Sequence, residues 1–203
     1  MPGQSSEQLA IIDGGGANIA SLTFALERLG VKAVLTTDAD VIRNAERVIL
    51  PGVGAAADAM ERLRAAALCE VIAELTQPVL GICLGMQLLF EASEEDDAQC
   101  LGIIPGKAGK FTPAPDMPVP HMGWNRVSQV RESGILDGIP DGAHFYFVHS
   151  FALPVSDATV GKTDYGVEFS AVVEHNNFVA AQFHPERSGE WGAKLIENFL
   201  TRY

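Results

Sequence analysis

The sequence predicts an α/β protein: a single-domain layered sheet, mostly parallel with helices on both faces, plus antiparallel ribbons in its C-terminal half. Between residues 9 and 90, short apolar runs alternate with stretches whose apolar residues recur at helical spacing, the pattern of parallel strands joined through crossover helices. After residue 90 the segments become shorter and richer in Gly, Pro, Asn and β-formers, as hairpins require. A length of 203 residues suits one domain over 1–203, and neither an internal repeat nor a linker divides it.

The elements follow in order. Leu9–Asp13 is a short apolar strand, Gly14–Gly16 a turn, and 18–30 a helix with Ile19, Leu22, Leu26 and Leu29 on one face. Gly14-Gly15-Gly16-Ala17-Asn18 lacks both the dinucleotide and the Walker patterns, so a phosphate cradle is disfavoured. Val31–Leu35 and Arg47–Leu50 are two further strands around a short helical or irregular link at Asp38–Ala45. Leu50-Pro-Gly-Val-Gly54 then interrupts the chain before an alanine-rich helix over Ala55–Ala67, and helical spacing continues through Leu68–Leu75 with Cys69 as packing. Pro78–Ile82 is a strand, followed by a sharp turn at Cys83 and a helix reaching Phe90. The acidic run at 91–97 reads as a solvated turn, and Cys100 beyond it as a spectator. Ribbons span 107–130 and 144–183, including a hairpin from Ala171–Glu174 through Asn176-Asn177 into Phe178–Phe183. An amphipathic helix over Glu190–Leu200 closes the chain.

Composition excludes several functions. Fourteen basic against 26 acidic residues give a net charge of −12, a surface that repels nucleic acid and anionic membranes. Residues 1–8 do not resemble a signal peptide, and the longest apolar stretch, Pro78–Phe90, is too short to span a bilayer, so a soluble cytoplasmic protein is expected. Three unpaired cysteines fit free thiols. Without CxxC or HExxH, no metal or cofactor is expected.

Chemistry concentrates at two places. Gly81-Ile-Cys83-Leu-Gly85 has the spacing of a nucleophile elbow, where flanking glycines let the backbone bend tightly enough to lift the nucleophile clear of the sheet. From these residues alone, Cys83 as a small buried hydrophobe remains an equal alternative. Gln182-Phe-His184-Pro-Glu186 supplies an imidazole and a carboxylate two residues apart; the proline pushes His184 into an extended conformation that sets both side chains on one side of the backbone. Nucleophile, base and orienting acid are the three roles of acyl transfer on a thiol. His121, His144, His149 and His175 lack such an arrangement and are not expected as bases. The glycines around Val53 could present backbone N–H groups to an oxyanion or form an ordinary strand-to-helix turn.

Gly-Ile-Cys-Leu-Gly-Met-Gln with Gln-Phe-His-Pro-Glu resembles the class I glutamine amidotransferases. Ile11-Ile-Asp13, Leu50-Pro-Gly-Val-Gly54, Val119-Pro-His-Met-Gly-Trp-Asn125 and Tyr146-Phe-Val-His-Ser150 narrow the resemblance, over nearly the whole chain, to the glutaminase subunits of imidazole glycerol phosphate synthase in histidine biosynthesis. The resemblance implies a Cys83, His184, Glu186 triad that hydrolyses glutamine. It also implies an oxyanion site from the backbone of Gly52, Val53, Gly54 and Leu84, with Gln87, His149 and Ser150 binding substrate. The partner it implies is a (β/α)₈ cyclase, forming a heterodimer that takes up the ammonia and makes imidazole glycerol phosphate and aminoimidazole carboxamide ribonucleotide. Asn18, His121, Met122 and Trp124 are expected at that interface, a buried core tryptophan being the rival reading for Trp124. Two departures stand out: Asp13-Gly-Gly-Gly-Ala-Asn18 lacks the aromatic residue and one glycine usual in its first loop, and Phe151 stands where a tyrosine is common. A glutaminase subunit of another amidotransferase, a stand-alone cysteine hydrolase and a non-catalytic regulatory relative are the competing readings. The last would normally have lost a member of the triad, and this chain keeps all three.

Overall fold

A computed structural model describes residues 9–15 and 19–203. The first eight residues and the Gly16-Ala17-Asn18 segment, with the interface expectation for Asn18 and most of the departure from the first-loop pattern, lie outside the described residues.

The sheet is built from β1 (Leu9–Ile12), β2 (Ala33–Thr36), β3 (Arg47–Gly52), β4 (Val79–Cys83), β7 (His121–Gln129), β8 (Ala143–His149), β10 (Thr159–Asp164), β11 (Glu168–His175) and β12 (Phe178–Ala181). Its order is β2-β1-β3-β4-β12-β11-β10-β7-β8. From β2 to β12 every pairing is parallel, and from β12 to β8 every pairing is antiparallel. The C-terminal ribbons therefore extend the same sheet. A smaller sheet joins β5 (Phe90–Ser93), β6 (Ile104–Lys110) and β9 (Phe151–Ala152).

Strand alternation divides the core in two. Leu9, Ile11, Ile49, Leu80 and Ile82 face one layer, where Leu22 and Leu26 of α1 (Ile19–Arg28) meet Leu195, Ile196 and Phe199 of α6 (Gly189–Arg202). Ala10, Ile12, Val48, Leu50 and Val79 face the other, covered by α2 (Ala39–Asn44), α3 (Ala56–Ala65), α4 (Leu68–Ala73) and α5 (Leu84–Leu88). Helices thus lie on both faces of the sheet, and among the described residues none is long and apolar enough to cross a membrane.

Local chemistry sets most boundaries. Asp38 caps α2 by accepting from the N–H groups of Asp40 and Val41 at 2.8 and 3.2 Å. Ala67, at φ 54°, breaks the alanine-rich helical stretch into α3 and α4. Asn176, also at φ 54°, turns a two-residue hairpin that pairs His175 with Phe178. After Cys83 the helix lasts only five residues, because Phe90 already belongs to β5.

Two glycines fix the close approaches. A Cβ on Gly85 would overlap the Leu50 carbonyl oxygen, and one on Gly52 would come within 2.9 Å of the Gly85 nitrogen, so the turn after β4 is pressed onto the end of β3. A Gly85→Ala substitution is therefore expected to destabilise the protein by at least about 3 kcal/mol or to prevent folding. Gly109→Ala, whose added carbon would make only an ordinary contact at 3.7 Å, is expected to stay within about 0.5 kcal/mol. Chemical denaturation of both variants checks the contrast.

Candidate active site

Three parallel strands, β3, β4 and β12, end side by side at one edge of the sheet, with Gly52 in register with Cys83 and Ala181 with Ile82. That alignment gathers three sequence-distant segments at the carboxyl ends of the strands, the usual place for a site in such a sheet. Gly52-Val53-Gly54 leaves β3, Cys83 closes β4, and 182–186 leaves β12.

Cys83 sits at φ 54° and ψ −111°, a conformation that an L-residue adopts at a cost of roughly 1–3 kcal/mol. Packing of the adjacent turn against β3 holds it there. Its sulfur lies 3.8 Å from the Val148 carbonyl oxygen and accepts a weak hydrogen bond from Gln182 Nε2 at 3.9 Å.

His184 is extended at φ −98° and ψ 96°, while Glu186 lies in a 3₁₀ turn over Pro185–Arg187. A turn, in place of strand alternation, brings the carboxylate back to the ring. Nδ1 of His184 bonds Glu186 Oε1 at 2.8 Å, which leaves Nε2 as the ring nitrogen available to Cys83. Burial lowers the pKa of this imidazole, but hydrogen bonds and charge from Cys83 and Glu186 outweigh it and raise the value from 6.5 to about 10. The turn is tied down twice. Ser188 Oγ donates to the His184 carbonyl at 2.7 Å and accepts from the Tyr146 N–H at 2.9 Å, and Gly192 lets α6 approach the Pro185 carbonyl where a Cβ would clash.

Val53, Gly54, Cys83, Leu84, Gln87, Glu95, Pro120, His149, Ser150 and His184 share the lining of a cavity of about 280 Å³. Cys83, His184, Gln87, His149, Ser150 and the 53–54 segment are thus brought together, and Glu186 stands behind His184. Gly52 does not line this cavity: it stays in β3, where the missing side chain serves close packing. Gly54, at φ 91°, holds a conformation that favours glycine.

His149 differs sharply from His184. Burial above all lowers its pKa to about 3, so it is neutral, with Nδ1 bonded to the Phe151 carbonyl at 2.8 Å and Nε2 to His121 Nδ1 at 3.0 Å. The interface expectation divides along β7. Met122 and Trp124 are 63% and 56% exposed, so Trp124 is no core residue, but His121 is only 3% exposed. His121 is a correction to that expectation: successive residues of a strand face opposite sides, and its ring stacks on Tyr165 and Phe147 in the interior.

Sequence reasoning gave no role to Gln182 or Ser188, and it assigned Glu95 to a solvated turn. Gln182 is fully buried, accepts from Gln87 Nε2 at 3.1 Å and reaches the Cys83 sulfur; its only signal was an amide inside an apolar strand end. Glu95 instead accepts the Ala56 N–H at 2.8 Å, capping the helix that follows the 52–54 segment.

The family model "Glutamine amidotransferase class-I" matches residues 10–203. The chain is 55% identical over 192 residues to an imidazole glycerol phosphate synthase subunit HisH of Xanthomonas axonopodis pv. citri, covering 95% of this chain and 96% of that one. It is 52% identical over 193 residues, with the same coverages, to the protein of that name from Xylella fastidiosa. A crystal structure of a glutamine amidotransferase from Thermotoga maritima shares the fold at a TM-score of 0.68 and 16% identity, over 98% of this chain and 84% of that chain.

The histidines predict opposite pH responses. His149, near 3, and His121, lowered by burial to about 4, take up protons when the chain unfolds below pH 6.5, so stability falls from there toward pH 4. His184 contributes stability that is complete below 6.5 and is lost as pH rises toward 10. Thermal unfolding across pH 4–10 is expected to show both declines, and His184→Asn to flatten only the alkaline one; parallel alkaline curves would refute the assignment.

Proposed function

The chain belongs to the class I glutamine amidotransferases, and within them to the HisH subunits of imidazole glycerol phosphate synthase; on that membership we propose that Cys83, His184 and Glu186 hydrolyse glutamine as one unit. The supporting observation is the buried imidazole held between the elbow sulfur and the Glu186 carboxylate, 2.8 Å away, which keeps it protonated at neutral pH.

In this reading Cys83 Sγ attacks the side-chain amide carbon of glutamine, forming a carbon–sulfur bond and placing negative charge on the amide oxygen. Backbone N–H groups of Leu84 and of the 53–54 segment stabilise that oxyanion. His184 delivers its proton to the departing nitrogen, the carbon–nitrogen bond breaks and ammonia leaves a γ-glutamyl thioester. The imidazole, now neutral, removes a proton from water as the water attacks the thioester; glutamate departs and the thiol is restored. Glu186 orients the ring and stabilises its charged form. Gln87 and the backbone around Ser150 position the amino-acid end of the substrate.

Residues 1–203 act as one glutaminase unit, and the ammonia goes to a cyclase partner, a (β/α)₈ barrel joined in a heterodimer that completes imidazole glycerol phosphate synthesis in histidine biosynthesis. The exposed Met122 and Trp124 form part of the surface that meets it, since large apolar side chains left in solvent are those an interface core selects.

Cys83→Ala is expected to reduce glutamine-dependent synthesis at least about a thousandfold while the partner's ammonia-dependent synthesis is retained. Parallel loss of both activities would refute the division of labour. Trp124→Ala is expected to weaken association with the cyclase by about tenfold or more while leaving the unfolding midpoint unchanged, as calorimetric titration and thermal melting will tell.

A further inference from the structure

Two buried imidazoles and an amide form a chain that leads away from the wall of the catalytic cavity, and the direction of every hydrogen bond in it is fixed from its ends. At one end, Asn125 Oδ1 accepts the Arg126 N–H at 2.8 Å and its Nδ2 donates to the Asp164 carbonyl at 2.9 Å. A backbone N–H only donates and a carbonyl only accepts, so the amide cannot be flipped. Its Nδ2 is therefore what faces His121 Nε2 at 3.3 Å, and that ring nitrogen accepts. At the other end the Phe151 carbonyl accepts from His149 Nδ1 at 2.8 Å. Between the rings, His121 Nδ1 and His149 Nε2 are 3.0 Å apart, and one proton must lie between them.

Both ends give the same answer. His121 with an accepting Nε2 carries its proton on Nδ1, and His149, whose Nδ1 donates to the Phe151 carbonyl, offers a bare Nε2 to receive it. The surroundings favour uncharged rings: His121 stacks on Tyr165, with centroids 4.0 Å apart, and His149 packs edge-on to Phe111 at 5.3 Å. The Phe151 carbonyl that ends the chain also accepts from Gln87 Nε2 at 3.1 Å, and the second Gln87 donor goes to Gln182 Oε1. Both donors of Gln87 are thereby used inside the protein, which directs its accepting oxygen away from them.

We propose that His121 and Asn125 are positioning residues of the catalytic cavity: they hold His149 in its Nδ1-protonated tautomer, which fixes the Phe151 carbonyl and, through it, the orientation of the Gln87 amide that meets substrate. The tautomer assignment stands on geometry alone; only the consequence for glutamine rests on the function proposed above.

The test has two arms. In the full chain labelled with ¹⁵N-histidine, long-range nitrogen–proton spectra at neutral pH are expected to show His121 and His149 both protonated on Nδ1 and bare on Nε2, the reverse of the tautomer that predominates for free histidine. Either ring protonated on Nε2 would overturn the proposal. Kinetically, His121→Phe keeps a ring of similar shape and removes both nitrogens; with the cyclase present it is expected to raise the KM for glutamine about tenfold with little change in kcat. His121→Asn, whose amide nitrogen can occupy the place of Nδ1, is expected to restore the KM. Equal KM values in the two variants, or a fall in kcat alone, would reject the positioning role, while loss of all glutaminase activity in the unsubstituted protein would reject the function without touching the tautomers. Should His121→Phe fail to fold, the spectra of the unsubstituted chain still decide.

Discussion

The site depends on one steric constraint, the contact between the turn that follows Cys83 and the end of β3. Gly85 has no side chain because the Leu50 carbonyl oxygen occupies that space, and Gly52 has none because the Gly85 nitrogen lies against it. This contact lets α5 begin immediately after the strand, which forces Cys83 to φ 54° and turns its sulfur toward the cavity. It also sets Val53 and Gly54 on the cavity wall that Cys83 and Leu84 share. A bulkier residue at either glycine would push the turn off β3 and separate the nucleophile from its neighbours.

How much of this was legible followed from how local each signal was. The Gly-x-Cys-x-Gly spacing acts within five residues, so the sharp turn at Cys83 could be read directly; Pro185 does leave His184 extended, but the 3₁₀ turn it opens, and not strand alternation, brings Glu186 to the ring. The alternation through β4 rests on periodicity within single segments, and those strands and helices lie close to where the pattern put them. The order β12-β11-β10-β7-β8 depends instead on pairings between distant residues, such as Gly161 with Gln129, and no local pattern encodes them. Phe90 looked helical because an apolar run ending a helix resembles one entering a strand; its pairing with Ile104 decided the matter. His121 shows the same limit at one residue. The motif containing it was recognisable, but a buried face and an exposed face alternate along β7, and only the rings of Phe147 and Tyr165 settle which is which.

The polar residues that reasoning missed have a common physical character. Gln182, Ser188 and Glu95 each support another group: Gln182 joins Gln87 to the Cys83 sulfur, Ser188 ties the His184 turn to β8, and Glu95 caps α3. Such residues carry no motif because the groups they support are distant in sequence. Burial exposes Gln182 and Ser188, since a polar side chain inside a core must find a partner, and the partner identifies its role.

Two histidines in one cavity wall illustrate how the fold assigns chemistry. His149 and His184 are both buried, and desolvation lowers the pKa of each. For His149 the surroundings are a carbonyl, aromatic rings and two other imidazoles, none of which supplies negative charge, so desolvation wins and the ring stays neutral. For His184 a carboxylate at 2.8 Å and the elbow sulfur reverse the outcome. Divergence of this kind between neighbouring groups of the same type separates a residue that exchanges protons from one that maintains shape. It requires Glu186 to be buried with its ring, because in water the same pair would be screened and too weak to hold the His184 pKa so far above its ordinary value. The turn after β12, closed by Ser188 and by Gly192 of α6, keeps that pair dry. Proton chemistry at the cavity is therefore a property of how the last helix packs as much as of the three side chains that carry it.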